Sequence, residues 1–264
     1  MRTGLIIIGD EILSGKRQDK HMARVIELLA ARGMQLDWVH VLGDDRAAIT
    51  AELRQAFASG DLVFSCGGIG ATPDDHTRQA AAAALGQDLT LHPEARELIW
   101  QRICEMAAAE GKAPREDDPD TLRRFQMGCF PESAGIIPNP YNRIPGFFVG
   151  SVYFVPGFPV MAHPMIEWVL DQRHADLQRA VQTRERSLIV QGAMEASLSP
   201  LMERIEAEFP GVLVFSLPSV DHPQWGRHIE LGVKGEASRL QAAYDALKSG
   251  LIQFGATIGT ELVR

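Results

Sequence analysis

The stretch CGGIGATPDDHT, which runs from Cys66 to Thr77, carries most of what this sequence predicts. It follows a short apolar run, Leu62–Phe64, that is typical of a buried strand, and it precedes an alanine-rich run that ends at Gly86. Its three glycines allow backbone N–H groups to approach an anion closely, and the start of the following helix adds positive potential. The stretch therefore predicts a phosphate-binding loop between a strand and a helix.

Spacing excludes two common glycine-loop motifs. A dinucleotide fingerprint would need glycine at position 73, which is Pro73. A P-loop has four residues between its first glycine and Gly-Lys, whereas five separate Gly9 from Gly15-Lys16. The remaining alternative is a plain tight turn, but such a turn has no need of three glycines together with the polar cluster Thr72, Asp74, Asp75 and Thr77.

Composition limits the class of protein. The chain has 264 residues, 45% of them hydrophobic, which is enough for one large or two modest globular domains. Its net charge of −8 argues against nucleic acid or an anionic membrane as the main partner. It contains no apolar run of membrane-spanning length, and a strand begins directly after Met1, so we expect a cytoplasmic protein without a signal peptide. The three scattered cysteines predict neither a disulfide framework nor a thiolate zinc site.

Strand and helix patterns alternate along the first hundred residues. Apolar runs such as Leu5–Ile8 and Leu36–Leu42 alternate with amphipathic helical stretches, which indicates an α/β fold with a parallel sheet. We expect a loop over Lys112–Asp120, a hairpin around Gly150 and a helix over residues 160–180. A charged, Gln-rich span follows, and we place a domain boundary there, between domains at 1–180 and 186–264.

The second predicted domain has a βαββα order, which is typical of a small α+β fold. Strand patterns lie at Ser187–Gln191, Val212–Leu217 and His228–Val233. Helical patterns begin at Ser199-Pro200 and at Glu236.

Acidic residues follow each of the first three predicted strands. Asp10 and Glu11 follow the first strand, Asp44 follows the second, and Asp75 lies in the glycine loop behind the third. Because the carboxyl ends of parallel strands share one edge, we expect these side chains to meet there. For any one of them, a helix cap or a solvated charge is an equally good interpretation.

Carboxylates beside a phosphate loop make chemical sense if a divalent cation lies between them. We therefore predict that Asp44 and Asp75 bind Mg²⁺ or a similar hard cation, assisted by Asp10 or Glu11. The glycine-loop amides and Thr72 would hold phosphate.

Six motifs occur in an order that resembles the molybdopterin-binding domain family of molybdenum-cofactor biosynthesis proteins, most closely the N-terminal part of competence/damage-inducible protein A. The resemblance covers about residues 1–170. The motifs are Gly9–Gly15, Gly43-Asp44, Gly67–Thr77, Pro138–Pro140, Pro145–Phe147 and Pro156-Gly157.

The resemblance implies a three-layer α/β/α domain with a mostly parallel sheet, followed by the small α+β domain. It implies a pocket for a phosphorylated pterin or nucleotide at the sheet edge, with a divalent cation (Mg²⁺, Mn²⁺ or Co²⁺), and a homo-oligomer, either a dimer or a trimer. It assigns Asp44 and Asp75 to catalysis and to the metal. The ligand-binding residues that it implies are Gly67, Gly68, Gly70, Thr72, Asp10, Glu11, Asn139 and Gly146.

Two functions stay open at this point. Relatives of this type resemble metal-dependent pyrophosphatases that act on ADP-ribose-like nucleotides, and related domains transfer an adenylyl group to molybdopterin. The alternative is a non-catalytic pterin-binding, nucleotide-binding or regulatory protein. Val160-Met161 stands where the family has Ser-Glu, and the missing carboxylate favours this alternative.

Overall fold

The computed structural model describes residues 1–178 and 183–263. The chain forms two compact units, Met1–Gln178 and Arg179–Arg264.

The first unit alternates strands and helices in chain order. Its strands are β1 Thr3–Ile8, β2 Trp38–Leu42, β3 Leu62–Cys66, β4 Leu89–Leu91, β5 Cys129–Pro131, β6 Gly135–Ile137, β7 Gly146–Val149 and β8 Val152–Val155. Its helices are α1 Asp10–Leu13, α2 His21–Ala30, α3 Arg46–Ser59, α4 Thr77–Leu85, α5 Pro93–Ala109, α6 Pro119–Phe125 and α7 Pro159–Arg173. Short 3₁₀ turns lie at Gln126–Gly128 and Ala175–Leu177.

Six of these strands form one mixed sheet in the order β2-β1-β3-β8-β7-β6. The first four in this order are mutually parallel, and β7 and β6 extend the sheet antiparallel. The carboxyl ends of β1, β2 and β3 therefore lie along one edge, as predicted. The hairpin of β7 and β8 is confirmed as well.

Helices cover both faces of this sheet. On one face, alternate β1 residues such as Leu5 pack in a core with Val25 of α2 and Met165 of α7. On the other face, Ile6 packs with Ile49 of α3 and with the alanines of α4. All six residues of β1 are buried, because it is the inner strand of a sheet covered on both sides. The three-layer architecture is confirmed.

Local structure departs from the sequence prediction around residue 119. Helix α6 begins at Pro119, inside the span expected to be a loop, because proline is well suited to the first helical position. Phe125, at the end of α6, packs on Ile99 and Ile103 of α5.

The three-residue pair β4–β5 is too short to leave a periodic signal. The helix expected over 160–180 ends at Arg173.

The second unit is a four-stranded antiparallel sheet with two helices. Its strands are β9 Thr183–Gln191, β10 Leu213–His222, β11 Gly226–Glu236 and β12 Thr257–Val263. In the sheet they lie in the order β10-β11-β9-β12. Its helices are α8 Glu195–Glu208 and α9 Ala237–Phe254, and they share one core with the sheet. The α+β prediction is confirmed, with β12 added at the end. Helix α8 begins four residues before Ser199 and contains Pro200 in its second turn.

Among the described residues, no helix is both long enough and apolar enough to cross a membrane.

Candidate functional site

Two glycines of the Cys66–Thr77 stretch adopt conformations that exclude other residues. Gly67 has φ of 110° and Gly68 has φ of 68°, both unfavourable for a residue with a Cβ atom. A Cβ atom on Gly67 would lie 2.3 Å from the carbonyl oxygen of Ile8 in β1, and one on Gly68 would lie 2.2 Å from Thr77 Oγ1. The chain can turn between β3 and α4 here only because both side chains are absent.

Thr77, the first residue of α4, holds this loop from behind. Its Oγ1 donates to the Gly67 carbonyl at 3.0 Å, and its N–H donates to the Gly68 carbonyl at 3.0 Å. Within the described residues, the N–H groups of Gly68, Ile69 and Gly70 donate to no protein acceptor. The carbonyls of Gly67 and Gly68 are thus engaged, while three successive N–H groups of the loop are available, which suits an anion.

Arg78 is a component of the site that the sequence did not reveal. Its side chain is buried, and Nη2 donates to the Gly70 carbonyl at 2.6 Å while Nη1 donates to the Gln126 carbonyl. Burial lowers the pKa of the guanidinium, and the neighbouring Asp75 carboxylate acts in the opposite direction. Arg78 therefore joins the glycine loop to the turn that precedes β5. An arginine after Thr77 in a helical run looks like a solvated charge in the sequence, so no pattern could have marked it.

A cleft of about 430 Å³ opens over the loop at the carboxyl edge of the sheet. Eight of the ten predicted site residues line it. They are Glu11, Asp44, Gly67, Gly68, Gly70, Thr72, Asp75 and Asn139.

Asp10 is exposed and is not among the residues that line the cleft, but it connects the turn after β1 to the turn after β2. The Asp10 N–H donates to Asp44 Oδ2 at 2.9 Å, and the Asp44 N–H donates to Asp10 Oδ1 at 3.2 Å. Partial burial raises the pKa of the Asp44 carboxyl, and the charges of Asp10, Glu11 and Asp74 raise it further. Asp44 is thus held in a negative environment that a bound cation would relieve.

Thr72 and Asp75, which follow the glycines of the loop, are hydrogen-bonded to each other. The Thr72 N–H and Oγ1 both donate to Asp75 Oδ2, at 2.8 and 2.5 Å. A Cβ atom on Gly70 would lie 2.6 Å from the same oxygen. The Thr72 hydroxyl, predicted to hold phosphate, is therefore committed to Asp75, whose second oxygen is left for a ligand.

The carboxylates suit a cation that is shared with a ligand. The described residues include no group of three or more His, Cys, Asp or Glu side chains placed to hold a metal ion. Asp44 and Asp75 nevertheless line the same cleft. Mg²⁺ is commonly held by one or two carboxylates together with substrate phosphates and water, and this donor set fits that pattern.

Asn139 organises the wall opposite the glycine loop. Its Nδ2 donates to Asn142 Oδ1 at 2.8 Å and to the Ile144 carbonyl at 2.9 Å, and its Oδ1 accepts from the Tyr141 N–H at 3.0 Å. These bonds use its side-chain amide to fix the 139–144 turn. Asn139 thus shapes the cleft instead of presenting free donors to it.

The placement of Gly146 corrects the sequence interpretation. It was expected on the far wall of the pocket, but it is buried in β7 and is absent from the residues that line the cleft. A Cβ atom there would lie 2.3 Å from the Phe154 carbonyl oxygen, so glycine is needed for the close approach of β7 and β8.

Met161 and Arg17 are among the further residues that line the cleft. Met161 does so at the position where a carboxylate was expected, and its sulfur lies 3.3 Å from Asn142 Nδ2. Arg17 is exposed and lines both this cleft and an adjoining one of about 440 Å³ that includes His21. The Lys16-Arg17 pair, which follows Asp10 and Glu11 in the chain, was the sequence signal that could have indicated a positively charged side chain at the cleft.

Comparisons with known proteins identify the family of this chain. Residues 4–175 match the family model described as a probable molybdopterin binding domain. A CinA-like protein of Geobacter metallireducens is 31% identical over 81% of this chain and 51% of its own length. A protein of Aeropyrum pernix is 29% identical over 98% of this chain and 97% of its own. The chain spans about half the length of the CinA-like proteins it matches.

A solved structure gives the same result. The crystal structure of the protein CinA from Thermoplasma acidophilum, described as of unknown function, superposes with a TM-score of 0.54 at 28% identity. The superposition covers 65% of this chain and 98% of that one. The family model itself matches well over half of this chain. The chain therefore belongs to the molybdopterin-binding domain family.

Proposed function

We propose that the cleft binds a phosphorylated pterin or nucleotide together with a divalent cation, Mg²⁺, Mn²⁺ or Co²⁺. The observation that carries this proposal is the glycine loop. Its carbonyls at Gly67, Gly68 and Gly70 are bonded to Thr77 and Arg78, while the N–H groups of Gly68, Ile69 and Gly70 have no protein acceptor among the described residues. Amides held in this way bind phosphate without reorganisation.

The cation explains how phosphate and carboxylates share one cleft. Asp44 and Asp75 would hold it, and it would neutralise charge on both the phosphate and the carboxylates. Arg17 lines the same cleft and adds a second positive charge for a phosphate group.

Calorimetric titration of the purified chain tests this proposal. We expect ADP-ribose to bind in the presence of Mg²⁺, and we expect the Asp44→Ala, Asp75→Ala double variant to lose the Mg²⁺ dependence. Native mass spectrometry of the untreated protein would identify a pterin or nucleotide that copurifies. The absence of heat with either Mg²⁺ or ADP-ribose, with no copurified ligand, would remove the proposal.

A second candidate function is hydrolysis of a nucleotide pyrophosphate bond. Hydrolysis of ADP-ribose adds one water across the diphosphate bridge and yields AMP and ribose 5-phosphate. The two aspartates on the cleft favour this function, whereas Met161, in place of a carboxylate, favours binding alone.

A product assay separates the two functions. AMP release is measured from ADP-ribose, FAD and NAD with each of the three cations. Activity that disappears in Asp75→Asn establishes the enzyme, and tight binding without AMP establishes the binding protein. The proposed homo-oligomer, a dimer or a trimer, is measured by light scattering.

A further inference from the structure

A side groove leads away from the main cleft and has its own chemical character. It has a volume of about 190 Å³ and lies between α5, α6 and the 139–144 turn. Met127, Asn142 and Ile144 line both the groove and the main cleft, so the two cavities adjoin. A ligand anchored at the glycine loop could therefore extend into the groove.

Apolar side chains form most of the groove surface. Ile99 and Ile103 of α5 are buried, and Met106, Met127 and Ile144 complete the apolar surface. A surface of this kind binds a flat, weakly hydrated group and is a poor site for a second bare phosphate.

Polar and aromatic groups at the groove are suited to a heterocycle. Tyr141 is 61% exposed, although its backbone N–H is fixed by Asn139, so its ring is available for stacking. Arg102 and Arg124 also line the groove. The Arg102 guanidinium is 3.7 Å from Glu105, and that of Arg124 is 3.9 Å from the sulfur of Met106, a weak acceptor. Within the part of the chain that the structure describes, neither guanidinium forms a close bidentate pair with a carboxylate.

We propose that this groove is a second subsite, which binds the planar nitrogen heterocycle of a two-part ligand whose phosphate lies at the glycine loop. The inference rests on the proposed function. Tyr141 stacks on the ring, and the two guanidinium groups donate to the nitrogen and oxygen acceptors along its edge. The ligand class is then a purine or pterin joined to a phosphate, in contrast to a simple sugar phosphate.

Two probes test the groove separately from the loop. ADP-ribose contains both phosphate and a purine, whereas ribose 5-phosphate has only the phosphate. Both are titrated with Mg²⁺ into the full chain and into Tyr141→Ala, Arg124→Ala and Tyr141→Phe. Arg123→Ala is the matched control, because Arg123 is the preceding residue of α6 but does not line the groove and pairs with Asp120 at 2.5 Å.

We expect Tyr141→Ala and Arg124→Ala to weaken ADP-ribose binding about tenfold, the effect of losing one good stacking or hydrogen-bonding contact. Ribose 5-phosphate binding should change less than twofold, and Tyr141→Phe and Arg123→Ala should behave like the unmodified protein. Unchanged ADP-ribose affinity in both alanine variants, or equal loss for both probes, would overturn the subsite while leaving the glycine-loop proposal intact. If the unmodified chain binds neither probe, the proposed function fails and the subsite fails with it.

Discussion

Replacement of Gly67 by alanine tests the geometry on which the whole site depends. The new Cβ atom would lie 2.3 Å from the Ile8 carbonyl, a backbone atom in the inner strand β1, so relief requires movement of the sheet. Gly60, the residue after α3, is the matched control. It has φ of 69°, but a Cβ atom there would meet nothing within 4 Å.

The two substitutions should lower the free energy of unfolding by amounts that differ by more than the experimental error. A left-handed conformation costs a non-glycine residue about 1–2 kcal/mol, and alanine regains about 0.4–1 kcal/mol by restricting the unfolded chain. Gly60→Ala should therefore lower the free energy of unfolding by about 1 kcal/mol. Gly67→Ala adds the cost of overpacking, about 1–3 kcal/mol, for a total of about 3 kcal/mol.

Urea unfolding of the full chain, followed by circular dichroism, measures both variants. The slopes of the transitions must match that of the unmodified protein for the comparison to hold. Equal destabilisation by the two substitutions would refute the close approach of Gly67 to β1, and with it the observed shape of the loop.

Three further predictions concern other parts of the site. The raised pKa of Asp44 means that its ionisation opposes folding as pH rises above the unfolded value of 3.8, so Asp44→Asn should raise the melting temperature at pH 7. This gain should vanish below pH 3.8, and a gain that persists in acid would contradict the electrostatic cause. Arg78→Met should lower the free energy of unfolding by about 2 kcal/mol, because the loss of two charge-assisted hydrogen bonds outweighs the relief of burying a charge. If Arg78→Met were more stable than the unmodified chain in chemical denaturation, the cost of burying the charge would outweigh the two hydrogen bonds. Asn139→Ala should cost about 2 kcal/mol and speed amide hydrogen exchange at Tyr141 and Ile144, since both depend on that side chain or its partner Asn142. Unchanged exchange at these amides would argue against its role in the turn.

Much of the first unit could be predicted because its signals are local. Continuous apolar runs such as Leu62–Cys66 become inner strands because both faces of the sheet are covered. The glycines of the loop mark a backbone path that other residues cannot follow, and acidic residues after successive strands meet at one edge because those strands are parallel. Helix α6 and the strand pair β4–β5 were not predicted, because short elements contain too few residues to show a hydrophobic period.

The sequence by itself was enough to predict a glycine loop, the placement of Asp44 and Asp75 at one edge of the sheet, and the division of the chain into two units. Only the tertiary structure decided which polar atoms are free. Thr72 is bonded to Asp75, Asn139 to its own turn, and Arg78 to carbonyls that lie 8 and 48 residues away. The physical reason is that a hydrogen bond depends on atoms brought within about 3 Å, and residues distant in the chain reach that distance only after the core has packed.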